Sequence, residues 1–227
     1  MLDADQLEVL SLSLTVAGTA VIASLPLALL AAWFLARSRS RMRMVVDALV
    51  HLPLVLPPVV TGYLLLVVLG RRGLIGGWLA EHLNLVFAFH WTGAALAGAI
   101  MGFPLMVRPI RLSLEAIDPR IEAAAATLGA RPLFVWLTVT VPLALPGVIA
   151  GCVLAFARAL GEFGATITFA SNIPGETRTL PLAIYSFIQV PGGEGAAAQL
   201  IVISVVISLS ALAISEWIAR RVKQRQI

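Results

Sequence analysis

Ionisable side chains are scarce in the apolar parts of this sequence, so those that fall there stand out. Arg158 and Glu162 lie four residues apart at the end of a long apolar run. On a helix that spacing puts them on one face, within reach of an ion pair. Ionisable groups at membrane depth usually face a bundle interior or a cavity. Thr166, Thr168, Ser171 and Asn172 follow with neutral hydrogen-bonding groups. A neutralised arginine trailed by hydroxyls can attract a polar solute without trapping it. The same pair can instead lock its helix, with the hydroxyls capping turns, and spacing does not separate these two readings. Thr61, close behind Pro57 and Pro58, is a second place where a hydroxyl meets a broken helix.

Catalytic chemistry has little to work with. There is no nucleophile–base pair, no carboxylate dyad with a defined partner and no metal cluster. His51, His82 and His90 are scattered, and Cys152 stands alone inside an apolar run. A Walker A motif needs a lysine after glycine. The single lysine is Lys223, near the end, so this sequence holds no P-loop. It is expected to bind no cofactor, no metal and no nucleic acid.

The elements that must position these groups are membrane spans. Of 227 residues, 59% are hydrophobic and 12% charged, and the mean hydropathy is +0.96. Soluble domains carry about 25% charged residues. The apolar residues come in unbroken runs of about 20, the length of a spanning helix, rather than alternating as in a barrel strand. The expectation is an all-α integral membrane protein of one domain. Asp3, Asp5 and Glu8 precede the first run where a signal peptide would carry positive charge, so that run is expected to be a retained helix.

Five spans are predicted, at about Val9–Ala36, Val46–Gly70, Trp91–Val107, Leu137–Leu160 and Gln199–Ala219. The second contains Pro53, Pro57 and Pro58 and should kink. In the third, Ala94, Gly98 and Gly102 form a small-residue face suited to close packing within the subunit, with a dimer seam as the alternative. The apolar stretch Leu180–Val190 is too short to span and should pack on the bundle or dip into the membrane surface.

Charge placement orients the bundle. Segments 37–43, 108–131 and 220–225 each carry four basic residues. With five spans all three lie on one side, which the positive-inside rule makes cytoplasmic. The N-terminus is then outside and the C-terminus inside. A sixth span at Leu180–Val190 would move the basic tail outside.

The longest cytoplasmic connection lies at Asp118–Pro146. Asp118 is a good N-cap and Pro119 suits the first helical position. Four consecutive alanines follow, then Gly129 as the closing residue and Pro132 just beyond. Ile121, Ala125 and Leu128 share one face. This is a short helix with a smooth surface that another protein can grip.

Here the residues resemble a known family. Glu122-Ala123-Ala124, then Gly129, then Val139-Thr140-Val141-Pro142 resembles the EAA loop of ABC-importer membrane subunits. Thr127-Leu128-Gly129-Ala130 also fits. The sequence departs from that pattern by one extra residue between Glu122 and Gly129, which places Ala123 at the glutamate position when Gly129 is the anchor. It also has valines where Ile and Leu are usual. The run from Arg158 through Pro181, with Ile184 through Glu194, resembles the molybdate permease branch, as does Leu52 through Leu66. The resemblance covers about residues 10–219.

What the resemblance implies is a type I ABC importer transmembrane fold over residues 9–219, with a cytoplasmic coupling helix at 118–130 and a basic tail at 220–227. Glu122, Ala123, Ala124, Ala125, Thr127, Leu128 and Gly129 would meet the motor. Thr61, Arg158, Glu162, Thr166 and Ser171 are the candidates for the pathway. The partners implied are a second copy of the chain, two cytoplasmic ABC ATPase subunits that bind the ATP, and an external oxyanion-binding protein. The setting is membrane lipid, in the inner membrane of a prokaryote. The implied cargo is molybdate, with tungstate or sulfate as alternatives. A secondary carrier or channel is the alternative of a different class. It would be expected to show an internal repeat with paired broken helices, which the sequence lacks.

Overall fold

A computed structural model describes the backbone of residues 3–225 and the side chains of that range except those of 215, 216 and 218–225. Every regular element in the described range is helical. Helix α1 (Ala4–Arg37) begins five residues before the expected Val9. Gln6 explains the extension: its side chain accepts from the Asp3 N–H and donates to Gln199, on the last helix of the chain.

The second expected span is two helices, α2 (Met42–Val55) and α3 (Pro58–Leu69), bent by 113°. Consecutive prolines cause this. A residue before proline is pushed out of the helical region. Leu56 precedes Pro57, and Pro57 precedes Pro58, so two residues in a row are extended, with ψ of 140° and 134°. The pair still reaches both ends of α5 (Trp91–Glu115). Asp47 on α2 meets Arg111 near the end of α5, while Leu65, Leu66 and Leu69 on α3 pack with Ala97 and Met101 in its first half. Between α3 and α5, the expected polar connection holds a short helix, α4 (Leu74–Leu83), closed by Asn84 in the left-handed region.

Helix α5 runs past the expected Val107 to Glu115 and carries Arg108 and Arg111 on its last turns. Helix α6 (Pro119–Thr127) follows. The fourth span then starts early and in pieces: α7 (Pro132–Val135), a π turn at Trp136–Thr140, α8 (Val141–Leu143) and α9 (Leu145–Leu160), with a 70° bend between α8 and α9. Pro142 and Pro146 remove backbone donors on both sides of that bend.

Helices α5 and α9 form the spine of the bundle, and small residues make it possible. A Cβ on Gly98 would lie 3.0 Å from that of Ala159, and one on Gly102 3.1 Å from the Ala155 carbonyl oxygen. On the facing helix, a Cβ on Gly151 would come 2.6 Å from the Met106 carbonyl oxygen, and one on Gly147 2.4 Å from the Ser113 Cβ. The small-residue face expected on the third span is therefore used within the subunit, against a matching stripe at 147, 151, 155 and 159. Around it, Ala28, Ala32, Leu35, Met106, Ile110 and Val148 build one fully enclosed cluster.

Three elements complete the chain: α10 (Gly164–Phe169), α11 (Leu180–Ile188) and α12 (Glu194–Arg225). Helix α11 is about 13 Å long, far short of the roughly 30 Å hydrocarbon core. Leu180, Leu182 and Ala183 are buried, so it packs on the bundle. Among the described residues, α1, α5 and α12 are long and apolar enough to cross a membrane unbroken, and counting each bent pair as one span gives up to five. The basic tail expected at 220–227 continues α12 as backbone to Arg225, but its side chains and residues 226–227 lie outside the described residues.

Candidate functional site

At the end of the bundle where α5 finishes, two of the three basic segments meet. Arg111 donates to Asp47 and to Glu115, each at 2.9 Å, and Arg43 reaches Glu115 at 3.3 Å. These bonds join the first turns of α2 to the end of α5, so segments 37–43 and 108–131 share one face of the molecule.

Helix α6 projects from that face. The Asp118 carboxylate accepts from the Arg120 N–H at 2.9 Å, and Pro119 occupies the first turn, as the sequence predicts. The other end is a Schellman motif. The Gly129 N–H donates to Ala126 and the Ala130 N–H to Ala125, with Gly129 at φ +83°. Between these caps, no residue of α6 is buried. Ala123, Ala124, Thr127, Leu128 and Gly129 are exposed and Ala125 is partly covered. Leu128 is 89% exposed, which leaves it free to enter a groove on another protein.

Glu122 turns the other way. Its Oε1 accepts from Arg37 Nη2 at 2.9 Å and from Thr140 Oγ1 at 2.9 Å. Arg37 closes α1, and Thr140 closes the π turn. The departure in spacing from the family pattern thus has a structural counterpart: Glu122 fastens α6 inward while Ala123 faces out. Neither partner was evident in the sequence. Arg37 stood among topology-setting arginines and Thr140 within a valine-rich segment. Beside this clamp an open, largely apolar cavity of about 490 Å³ is lined by Trp33, Leu133, Trp136 and Thr140, among others.

The polar residues of the other stretch gather toward the opposite end. Glu162 is 2% exposed and has two partners. Oε2 pairs with Arg158 Nη1, and Oε1 accepts from the Ala165 N–H at 2.7 Å. A buried carboxylate requires such compensation. It ties the end of α9 to the first turn of α10. Helix α10 in turn lies against α3 almost without spacer. A Cβ on Gly62 would fall 2.5 Å from the Ala165 carbonyl oxygen, and one on Gly164 2.8 Å from the Pro58 Cβ. Thr61 and Thr166 are therefore buried on two elements in close contact, and the Thr61 hydroxyl has no hydrogen-bond partner.

Ser171 lies apart from them. It adopts φ +66° and begins a tight loop. Thr177 donates to the Ser171 carbonyl and accepts from the Ile173 N–H, while Asn172 accepts from Arg178 and donates to Ser186. Glu176 reaches His90 at 3.2 Å. The Ser171–Arg178 segment is thus a self-bonded knot, pinned to the connection before α5. Sequence reading singled out Ser171 and Asn172 in this segment but not Thr177, whose hydroxyl closes the loop.

A broken-span bundle with a capped, exposed loop helix is an architecture that known proteins share. Residues 24–224 match the family described as "Binding-protein-dependent transport system inner membrane component". The chain belongs to that family. Among curated relatives, it is 58% identical over 214 residues to the molybdenum transport system permease protein ModB of Escherichia coli (strain K12), covering 94% of this chain and 93% of that one. It is 54% identical over 220 residues to the protein of the same name from Haemophilus influenzae, covering 97% and 96%. A crystal structure of a bacterial ABC transporter involved in the import of the acidic polysaccharide alginate matches with a TM-score of 0.73 at 18% identity, over 97% of this chain and 80% of that one. At that identity the likeness is one of fold. Membership of this family removes the secondary carrier or channel as an alternative.

Proposed function

We infer that this chain is the permease subunit of an ATP-driven molybdate importer in the bacterial inner membrane. The observation that carries the reading is near-full-length identity of 54–58% to molybdenum transport permeases, on a fold with a capped, outward-facing loop helix. The chain holds no P-loop lysine, so ATP is bound and hydrolysed by a separate subunit. The family's dependence on a binding protein supplies the second partner, which delivers the oxyanion from outside.

Two copies of the chain and two ATPase subunits form the working assembly. The apolar side chains left exposed along α12, among them Val202, Val206 and Leu209, suit lipid and a second copy. Residues 9–219 form the transmembrane domain, 118–130 the coupling segment and 220–227 a basic cytoplasmic tail. The N-terminus is outside. When the ATPase pair closes on ATP, the exposed face of Ala123, Ala124, Thr127 and Leu128 is pushed, and the bent fourth span opens the path outward. Hydrolysis returns it inward. Thr61 and Thr166 offer hydroxyls beside that path, and Arg158, neutralised by Glu162, attracts the dianion without trapping it. Ser171 belongs to the outer connection that meets the binding protein.

The experiment is uptake of labelled molybdate by cells carrying this permease with its ATPase and binding protein, in the presence of excess sulfate or tungstate. Uptake that requires ATP and resists sulfate is expected. Uptake abolished by that excess of sulfate would assign the chain to sulfate instead.

A further inference from the structure

Helix α6 poses a mechanical problem. It buries none of its nine residues, so a force applied to its alanine face has little packing through which to act. Its ends are turns: the Asp118 cap on one side and the Gly129 turn, at φ +83°, on the other. A helix held only by two turns can swivel without moving the bundle.

Glu122 supplies the missing connection. One carboxylate oxygen accepts from Arg37, the last residue of α1, and from Thr140, the last residue of the π turn, both at 2.9 Å. The two partners differ in stiffness. Helix α1 continues as one helix of 34 residues through Pro26 to Arg37. The π turn opens a segment that bends by 70° between Leu143 and Leu145 and carries Pro142 and Pro146 beside the bend. π turns interrupt the regular hydrogen-bond ladder and occur often at functional sites. Thr140 itself is 2% exposed, so its hydroxyl is committed to this contact. Glu122 therefore ties the loop helix to one rigid strut and to one compliant hinge.

We propose that Arg37, Glu122 and Thr140 form a latch that converts displacement of α6 into bending of the fourth span against α1, with Arg37 and Thr140 as positioning residues for transport. This rests on the reading of α6 as the coupling helix. Glu122 acts within its own chain in this arrangement, while the neighbouring alanines meet the motor. Arg37 holds the carboxylate at a fixed height on α1, and Thr140 receives its movement.

The test uses the complete transporter, with its ATPase and binding protein, in proteoliposomes. Molybdate uptake and ATP hydrolysis are measured together for wild type, Arg37→Gln, Arg37→Lys, Thr140→Val, Arg37→Glu, and Arg37→Glu combined with Glu122→Arg. The latch predicts that Arg37→Gln and Thr140→Val assemble and hydrolyse ATP but transport about fivefold fewer ions per ATP, or worse. The exchanged pair should recover most of what Arg37→Glu loses. A merely structural ion pair would lower the yield of complex and leave ions per ATP unchanged. Unchanged coupling in Arg37→Gln, or an exchanged pair no better than Arg37→Glu, would overturn the latch. Loss of the complex in every variant, with Arg37→Lys lost as well, would also overturn it. A wild type that couples no molybdate to ATP would instead sink the transport reading itself, a result separate from any of these.

Discussion

Gly147 on α9 sits so close to Ser113 on α5 that a Cβ added to the glycine would lie 2.4 Å from the serine Cβ. The Pro109 carbonyl oxygen is equally near, at 2.5 Å. Neither neighbour is the tip of a flexible side chain, so neither can yield without moving helix backbone. The contact lies next to the 70° bend of the fourth span.

Gly147→Ala should therefore destabilise the permease by about 1–3 kcal/mol, the usual cost of overpacking. Thermal unfolding of the detergent-purified protein, followed by size-exclusion fluorescence, measures this. Gly18→Ala, where the added carbon meets nothing within 4 Å, is the control and should unfold no lower than wild type, since alanine favours the helix over glycine. Equal melting of the two variants would remove the packing argument.

A different cost applies at Gly129. No atom lies within 4 Å of a Cβ placed there, so substitution produces no clash. The penalty is the backbone's alone, about 1–2 kcal/mol for a side-chain-bearing residue in the left-handed region. Asn is the substitute best tolerated in that conformation. Gly129→Asn should retain most uptake, whereas Gly129→Val should abolish it while inserting into the membrane normally. Uptake by Gly129→Val at the wild-type rate would mean that the Schellman turn is dispensable.

Glu162 separates a lock from a path. Removing the carboxylate leaves a guanidinium and the Ala165 N–H without partners. Breaking a buried pair on one side costs about 3–5 kcal/mol. Glu162→Ala should accordingly fail to accumulate in the membrane. Glu162→Gln keeps an acceptor for Ala165, so it should accumulate better. If Arg158 also attracts the dianion, the uptake KM of Glu162→Gln should fall, because the arginine is no longer neutralised. An unchanged KM at reduced yield would leave the lock as its whole role.

How much of this was legible beforehand depends on the range of the interaction. The capped helix at Asp118–Gly129 was readable because caps are local: an aspartate, a proline and a glycine at fixed offsets determine it. The small-residue face at Ala94, Gly98 and Gly102 was readable for the same reason. Its matching stripe on α9, Gly147, Gly151, Ala155 and Ala159, has the same four-residue spacing but declares a partner only once the two helices are packed together. The severity of the break at Leu56–Pro57 exceeded the expected kink, because two consecutive residues precede prolines and their effects add. Arg37 and Thr140 were invisible as partners of Glu122, lying 85 and 18 residues away in sequence. Only the folded chain brings them together.

Topology offers a test independent of transport. Arg43, Asp47, Arg111 and Glu115 bind two basic segments into one face, and Asn84 closes α4 in the connection that leads to the start of α5, away from that face. A phosphatase–reporter fusion near Met42 should be inactive and one near Asn84 active, as external segments are. The opposite pattern would invert the bundle and put α6 outside the cell, where no ATP-driven motor could reach it.

The exposed face of α6 gives the most direct prediction. Ala124 is exposed, carries no functional group and sits midway between the two caps. A cysteine there adds one sulfur to a surface that already accepts close approach, so Ala124→Cys should preserve uptake. Cys152, partly buried in α9, is replaced by serine to remove background. Oxidation should then join Ala124→Cys to a cysteine placed in the surface groove of the partner ATPase, and ATP should change the yield as the motor closes. Cysteine at Glu122 faces Arg37 and Thr140 instead and should cross-link poorly. Strong cross-linking from Glu122 with none from Ala124 would reverse the orientation assigned to the helix, because both positions cannot point into the same groove.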